Sequence, residues 1–202
     1  MPKIDFWYDY SSTYSYLAVM RIESLAKVAE VELRWRPFLL GPVFRAQGLN
    51  ASPAEVYPIK GRYAWRDMVR LTQRYGLPKF KLPEPFPTNS LLAARVALVL
   101  SDADRPAFSR AVYLAEFGDG REIGDRALIA DILKRLGHDA EAVIATTGEQ
   151  ATKDKLRAQT EEAMKLGIFG APNFVCEDGE WFWGNDRLEQ ALEWAQLHVA
   201  KP

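Results

Sequence analysis

The first forty residues constrain this chain most. Ile4 to Tyr10 is rich in β-branched and aromatic residues, as a buried strand is. Ser11-Ser12-Thr13 breaks that run, and Tyr16, Leu17, Met20, Leu25 and Val28 continue at helical spacing. Val31 to Phe38 then alternates, with Val31, Leu33 and Trp35 on one side and Glu32, Arg34 and Arg36 on the other. This predicts a second strand ended by Pro37. Strand, helix, strand over so short a stretch is the pattern of a parallel pair joined by a crossover helix.

Gly, Pro and Asn punctuate Leu39 to Tyr57, which reads as a long loop of the kind that often carries function. Ile59 to Tyr75 reads as a helix stopped by Gly76-Leu77-Pro78, and Pro78 to Pro87, with four prolines, as an irregular connector. From Asn89 to Gly137 the pattern is helical, with breaks at Ser101-Asp102, Gly118-Asp119-Gly120 and Gly137. A further helix runs from Gln150 to Leu166, with Thr147 and Gln150 as a capping box. Asn173 to Cys176 and Trp181 to Trp183 form a hairpin around Glu177-Asp178-Gly179-Glu180. Asp186, with Glu189 three residues on, opens a last helix to about Val199.

Composition narrows the function. With 48% hydrophobic and 26% charged residues over 202 positions the chain is an ordinary globular protein, able to be one domain or one domain with an insertion. The net charge of −1 gives no basic field for nucleic acid or an anionic membrane, and no apolar run is long enough to span a bilayer. The first residues, with Asp5 and Asp9 in a strand-like run, do not read as a signal peptide. A single cysteine, Cys176, excludes an intramolecular disulfide and a Cys-x-x-Cys pair, so a reducing cytoplasm is the expected compartment. No metal site is read from the sequence.

Four groups of residues could carry chemistry. The first is Asp9 to Leu17, at the junction of the first strand and helix, where backbone N–H groups are unpaired and the helix dipole is positive. Thiol enzymes place a thiolate there. Here Ser12-Thr13-Tyr14-Ser15 occupies the Cys-x-x-Cys position. Serine cannot exchange disulfides, but it can donate a hydrogen bond to another molecule's sulfur. Plain N-capping by Ser11 or Ser12 explains the same residues. The second is Gly170-Ala171-Pro172-Asn173, compatible with a cis bond, although only about 5–6% of X–Pro bonds are cis. The third is Trp183 to Arg187, where Asp186 either caps the last helix or holds an amino-acid-like zwitterion. The fourth is Asn50, Lys60 and Arg62, which alone are solvated side chains.

Taken in order, these groups resemble the bacterial 2-hydroxychromene-2-carboxylate isomerases and, less closely, the kappa-class glutathione transferases. Both lie on the DsbA-like branch of the thioredoxin superfamily. The resemblance covers nearly the whole chain. It rests on Trp7-Tyr8-Asp9-x-x-Ser12-x-Tyr14-Ser15-Tyr16-Leu17, Arg36-Pro37, Lys60-Gly61-x-Tyr63, Gly170-Ala171-Pro172 and Trp183-Gly184-Asn185-Asp186-Arg187-Leu188. It implies an α/β thioredoxin-like fold with an inserted all-helical domain. Residues 1–40 and 165–202 would form the thioredoxin-like part, and 41–164 the helical insertion with the substrate and glutathione loop. It also implies glutathione as cofactor, a small aromatic substrate and a homodimer.

By that likeness Ser12 bonds the glutathione sulfur, and Ala171, before Pro172, pairs with the cysteinyl backbone. Asn50 and Lys60 reach the glycyl end, and Asp186 beside Asn185 the γ-glutamyl amine. Thr13 stands where the family usually has proline, so the first helical turn loses a residue suited to it. The implied reaction is cis–trans isomerisation of 2-hydroxychromene-2-carboxylate, or a related aromatic catabolite, to trans-o-hydroxybenzylidenepyruvate through a glutathione thiolate adduct. Tyr14, Tyr63, Trp65 and Phe86 are candidates for an apolar slot, and Arg66 or Arg70 for the substrate carboxylate. A conjugating transferase shares every glutathione contact. A non-redox peptide-binding module on the same fold is the third reading, whereas disulfide exchange is excluded at Ser12 and Ser15. Cys176 reads as a buried structural thiol.

Overall fold

The structure, a computed structural model, describes residues 1–198. The predicted parallel pair is present. β1 (Lys3–Tyr8) and β2 (Glu32–Pro37) run parallel, with Phe6 opposite Trp35. The crossover between them is two helices rather than one, α1 (Thr13–Val19) and α2 (Ile22–Val28), separated at Met20-Arg21. The end of β1, Phe6-Trp7-Tyr8, is an apolar run because both faces are covered there, whereas Lys3 and Asp5 at its start are half-buried. Ile4, Phe6 and Tyr8 enter the main core, while Trp7 joins a smaller cluster with Phe38, Val43, Ala163 and Val175.

The stretch read as a loop from Leu39 to Tyr57 holds two short helices, α3 (Leu40–Ala46) and α4 (Pro53–Val56). Four to seven residues are too few to show a hydrophobic period, and Pro42 and Gly41 mask the first. Ser52 and Glu55 do form a capping box on α4, a signal that was available in the sequence. α5 (Pro58–Arg74) is followed by the proline-rich connector, then by α6 (Leu91–Val99) and α7 (Arg105–Tyr113), which continues into a π-helical turn, Leu114–Gly118. α8 (Arg126–Arg135) precedes α9 (Ala140–Thr146), a helix the sequence did not announce.

α10 (Gln150–Lys165) starts without the expected box. Glu149 is its N-cap residue, and Thr147 instead donates to the Ile144 carbonyl at 2.6 Å. The hairpin is as expected: β3 (Asn173–Cys176) pairs antiparallel with β4 (Trp181–Trp183), and β3 with β1. The sheet order is β2-β1-β3-β4, so residues from both ends of the chain flank β1. A 3₁₀ turn, Asn185–Arg187, leads into α11 (Leu188–Leu197), and Arg187 rather than Asp186 occupies its N-cap position. The expected helix end at Val199 and the expected domain limit at 202 lie outside the described residues. Among those described, no helix is long and apolar enough to cross a membrane.

Candidate functional site

The site begins where β1 ends. Asp9 is only 2% exposed. Its Oδ1 accepts from the Ser11 N–H and hydroxyl, both at 2.8 Å, and its Oδ2 accepts from the Leu40 N–H at 2.6 Å. The Asp9 carbonyl accepts from Ser12 N–H at 3.0 Å and from the Tyr113 hydroxyl at 2.6 Å. Burial raises the Asp9 carboxyl above its ordinary range, and these hydrogen bonds oppose the shift. The turn before Ser12 is therefore held by α3 and α7 as well as by its own atoms.

Ser12 is the N-cap of α1, with φ −88° and ψ 115°. Its Oγ accepts from Ser15 N–H at 3.2 Å and donates to the Ala171 carbonyl, also at 3.2 Å. Capping and the approach to Ala171 thus occur together. Thr13 is buried at the first helical position. Ser15 is fully buried, and its hydroxyl has no partner among the described residues.

The Ala171–Pro172 bond facing Ser12 is cis. Gly170 lets Trp183 close over this strand, since a Cβ there would lie 2.7 Å from the indole Nε1. Gly184 has φ +109°, and a Cβ at that position would lie 2.6 Å from Asp186 Oδ1.

Three cavities open around this junction. The serine cavity, about 400 Å³, is lined by Ser12, Tyr14, Lys60, Trp65, Phe86 and Ala171, among others. A second, about 580 Å³, is lined by Tyr14, Asp67, Arg74, Asn185, Asp186 and Arg187, and shares Tyr14, Ala171 and Trp183 with the first. The third, about 470 Å³, is also lined by Ser11 and includes Asp9, Arg45, Asn50 and Asn89. A smaller cavity at the β2 edge, beside Arg105 and Gln159, holds none of the candidate residues.

The expected residues therefore divide. Ser12, Tyr14, Lys60, Trp65, Phe86 and Ala171 come together; Asn185 and Asp186 adjoin them across Tyr14; Asn50 lies in the third cavity, apart from Lys60. Pro172 is buried directly behind Ala171. Tyr63 is 65% exposed with the Arg70 guanidinium over its ring, and Arg66 and Arg62 are exposed. None of these four lines the cavities, because Met68 and Thr72 define the buried face of α5 and they project elsewhere.

Asp186 is an exposed carboxylate paired with Arg187 at 3.2 Å. Asn185 is 2% exposed; its Nδ2 donates to the Tyr75 hydroxyl at 3.3 Å, and its Oδ1 has no partner among the described residues. Sequence reasoning overlooked Asp67 and Arg74. They lie at i and i+7 on α5 and face the Asp186 turn, a spacing that puts both on one helix face. Tyr14 donates to Asp67 Oδ2 at 3.1 Å; burial and the Asp67 charge push its phenol well above the ordinary value.

Two further groups bear on the chemistry. Glu116, in the π-helical turn, is fully buried; Thr88 donates to its Oε1, and Oε2 has no partner among the described residues. Burial drives its carboxyl well above the ordinary range. Cys176 ends β3 with its Sγ 3.7 Å from the Ala191 carbonyl of α11, and burial pushes its thiol to about 12. It is far too weakly acidic to act as a nucleophile near neutral pH.

The family model for a DSBA-like thioredoxin domain matches residues 3–194. The chain belongs to the DsbA-like thioredoxin family. Among curated DsbA-like relatives, the 2-hydroxychromene-2-carboxylate isomerase of Sphingobium xenophagum is 31% identical over 189 residues, covering 92% of this chain and 94% of that protein. Glutathione s-transferase kappa 2 of Caenorhabditis elegans is 26% identical over 204 residues, covering 94% and 90%. A solved 2-hydroxychromene-2-carboxylate isomerase superposes with a TM-score of 0.87 at 29% identity, covering 98% of this chain and 95% of that one. The fold class and family expected from the sequence are both met.

Proposed function

We propose that this DsbA-like protein is a glutathione-dependent cis–trans isomerase acting on 2-hydroxychromene-2-carboxylate or a related aromatic catabolite. The observation that carries the reading is Ser12 Oγ, 3.2 Å from the Ala171 carbonyl, at the junction of an apolar cavity and a charged one. The local residues suit the tripeptide. Asn185 offers a buried acceptor with no partner among the described residues, Asp186 an exposed carboxylate for an ammonium, and Lys60 a cation for a carboxylate. Isomerase relatives near 30% identity support the reaction class.

Once the substrate's hemiketal ring has opened to the conjugated keto acid, bound glutathione would supply a thiolate for conjugate addition. Addition makes the double bond single and free to rotate, and elimination of the thiolate would restore it. Ser12 would turn its hydroxyl hydrogen from the Ala171 carbonyl to that sulfur, with the Ser15 N–H holding Oγ in place. Ala171 would be freed to pair with the peptide backbone. Trp65 and Phe86, whose rings meet edge-on at 5.0 Å, would pack on the aromatic substrate and keep water from the sulfur.

The test follows the absorbance of 2-hydroxychromene-2-carboxylate with enzyme and substoichiometric glutathione. The expected result is full conversion to equilibrium with glutathione undiminished. No conversion, alongside steady conjugation of chlorodinitrobenzene, would transfer the assignment to a transferase. Cytoplasmic residence and a homodimer belong to the same proposal; sedimentation velocity tests the dimer.

A further inference from the structure

The substrate proposed above is an anion, and neither of the two α5 arginines expected to meet it, Arg66 and Arg70, lines a cavity. Arg66 faces solvent and Arg70 pairs with Asp67 at 2.9 Å. The cations lining the three cavities are Lys60, Arg74, Arg187 and Arg45. Arg74 and Arg187 share the cavity of Asp186, and Arg187 is paired with it. Lys60 is matched to the glycyl carboxylate. Arg45 remains.

Arg45 lies on the last turn of α3, whose Leu40 and Phe44 wall both the serine cavity and the third cavity. Ser11, Ser52 and Pro87 are also common to both, so the two cavities adjoin across these side chains. The guanidinium folds back along its helix, with Nη1 3.6 Å from where a Gly41 Cβ would stand. Among the described residues, no carboxylate forms a salt bridge with it. Glu55, which lines the same cavity, is engaged by the Ser52 N–H at 2.9 Å and hydroxyl at 2.6 Å. Asn89 and Ser90 line the cavity too, and Asp9 at its back is occupied by three donors.

We propose that the third cavity is the carboxylate subsite of the aromatic substrate, with Arg45 as its anion-binding residue and the ring in the serine cavity against Trp65 and Phe86. An arginine suits this role because its planar fork meets a carboxylate with two parallel hydrogen bonds. The inference rests on the proposed function for its substrate, but binding tests it separately from turnover.

Salicylate and its neutral counterpart salicylamide are titrated into glutathione-loaded wild type, Arg45→Gln and Arg45→Lys, reading tryptophan fluorescence. Wild type is expected to prefer salicylate by roughly tenfold or more, the size of a charge-assisted contact. Arg45→Gln should erase the preference, Arg45→Lys retain part of it, and glutathione affinity stay unchanged. Equal binding of the two probes by wild type, or an unaltered preference in Arg45→Gln, overturns the proposal. So does an equal loss of glutathione affinity, which would give Arg45 to the tripeptide. Arg45-dependent salicylate binding without turnover of the hydroxychromene would sink the isomerase reading and leave this subsite standing.

Discussion

The Tyr113 hydroxyl donates to the carbonyl of Asp9 across 2.6 Å, joining α7 to the peptide that places Ser12. The same carbonyl also accepts from Ser12 N–H, so removing the phenol leaves it with one partner. Tyr113→Phe should cost about 0.5–1.5 kcal/mol, the net worth of one hydrogen bond. Urea unfolding measures it. A loss above that range would mean the whole turn moves.

Ser12→Ala removes both a cap and the proposed sulfur donor. Losing the cap should lower stability by about 0.5–2 kcal/mol. Losing a charge-assisted bond of about 1.5–3 kcal/mol should slow the reaction by roughly one to two orders of magnitude. It should also raise the pKa of bound glutathione, read from thiolate absorbance in the ultraviolet. A slower enzyme with an unshifted thiol would leave Ser12 a cap alone.

Asp186 is exposed and does not cap α11, so its removal should leave the melting temperature of the free protein in place. Asp186→Ala is expected to weaken glutathione binding by about ten- to a hundredfold, as loss of a charged contact does. Calorimetric titration decides it. Unaltered affinity would remove Asp186 from the γ-glutamyl site.

Glu116 gives a pH dependence whose sign follows from its raised carboxyl. In the unfolded chain it ionises near its ordinary value, while in the folded chain it holds its proton longer. Its contribution to stability is thus full in acid and is lost as pH rises from the unfolded value through the folded one. Glu116→Gln keeps an acceptor for Thr88 and carries no charge. It should gain on wild type as pH rises through that window and lose the advantage in acid. Urea midpoints across the window that stay parallel would contradict a buried ionisable Glu116.

Cys176 should take no part in redox chemistry, because its thiol is pushed to about 12 and is buried against α11. Insulin reduction should run at the background rate in wild type and in Cys176→Ser alike. A clear rate that disappears in the variant would restore the cysteine as a nucleophile.

How legible all this was depended on the length of each pattern. β1, β2 and the hairpin were readable because strand composition shows within a few residues. α3, α4 and α9 were hidden because none is long enough, at four to seven residues, to show a period. Asp186 looked like a cap on spacing alone, yet the chain takes a 3₁₀ turn first, and the cap position passes to Arg187. The parts of the site carried by local motifs, Ser12 and Ala171, could be read. Asp67, Arg74 and Arg45 could not, since what selects them is which helix face the tertiary packing turns toward the cavities.

Ser12 and Ala171 touch, yet 159 positions separate them in sequence. β1 gains β2 early, from a neighbour close along the chain, but its other edge waits for β3. A ribosome that has made everything up to α10 has therefore made a serine with nothing opposite it and a strand with one bare side. Bare edges invite pairing with other chains, and contacts between distant residues form late because loop closure must precede them. Emergence of β3 is thus the moment at which Ser12 gains Ala171 opposite it and β1 loses its bare side.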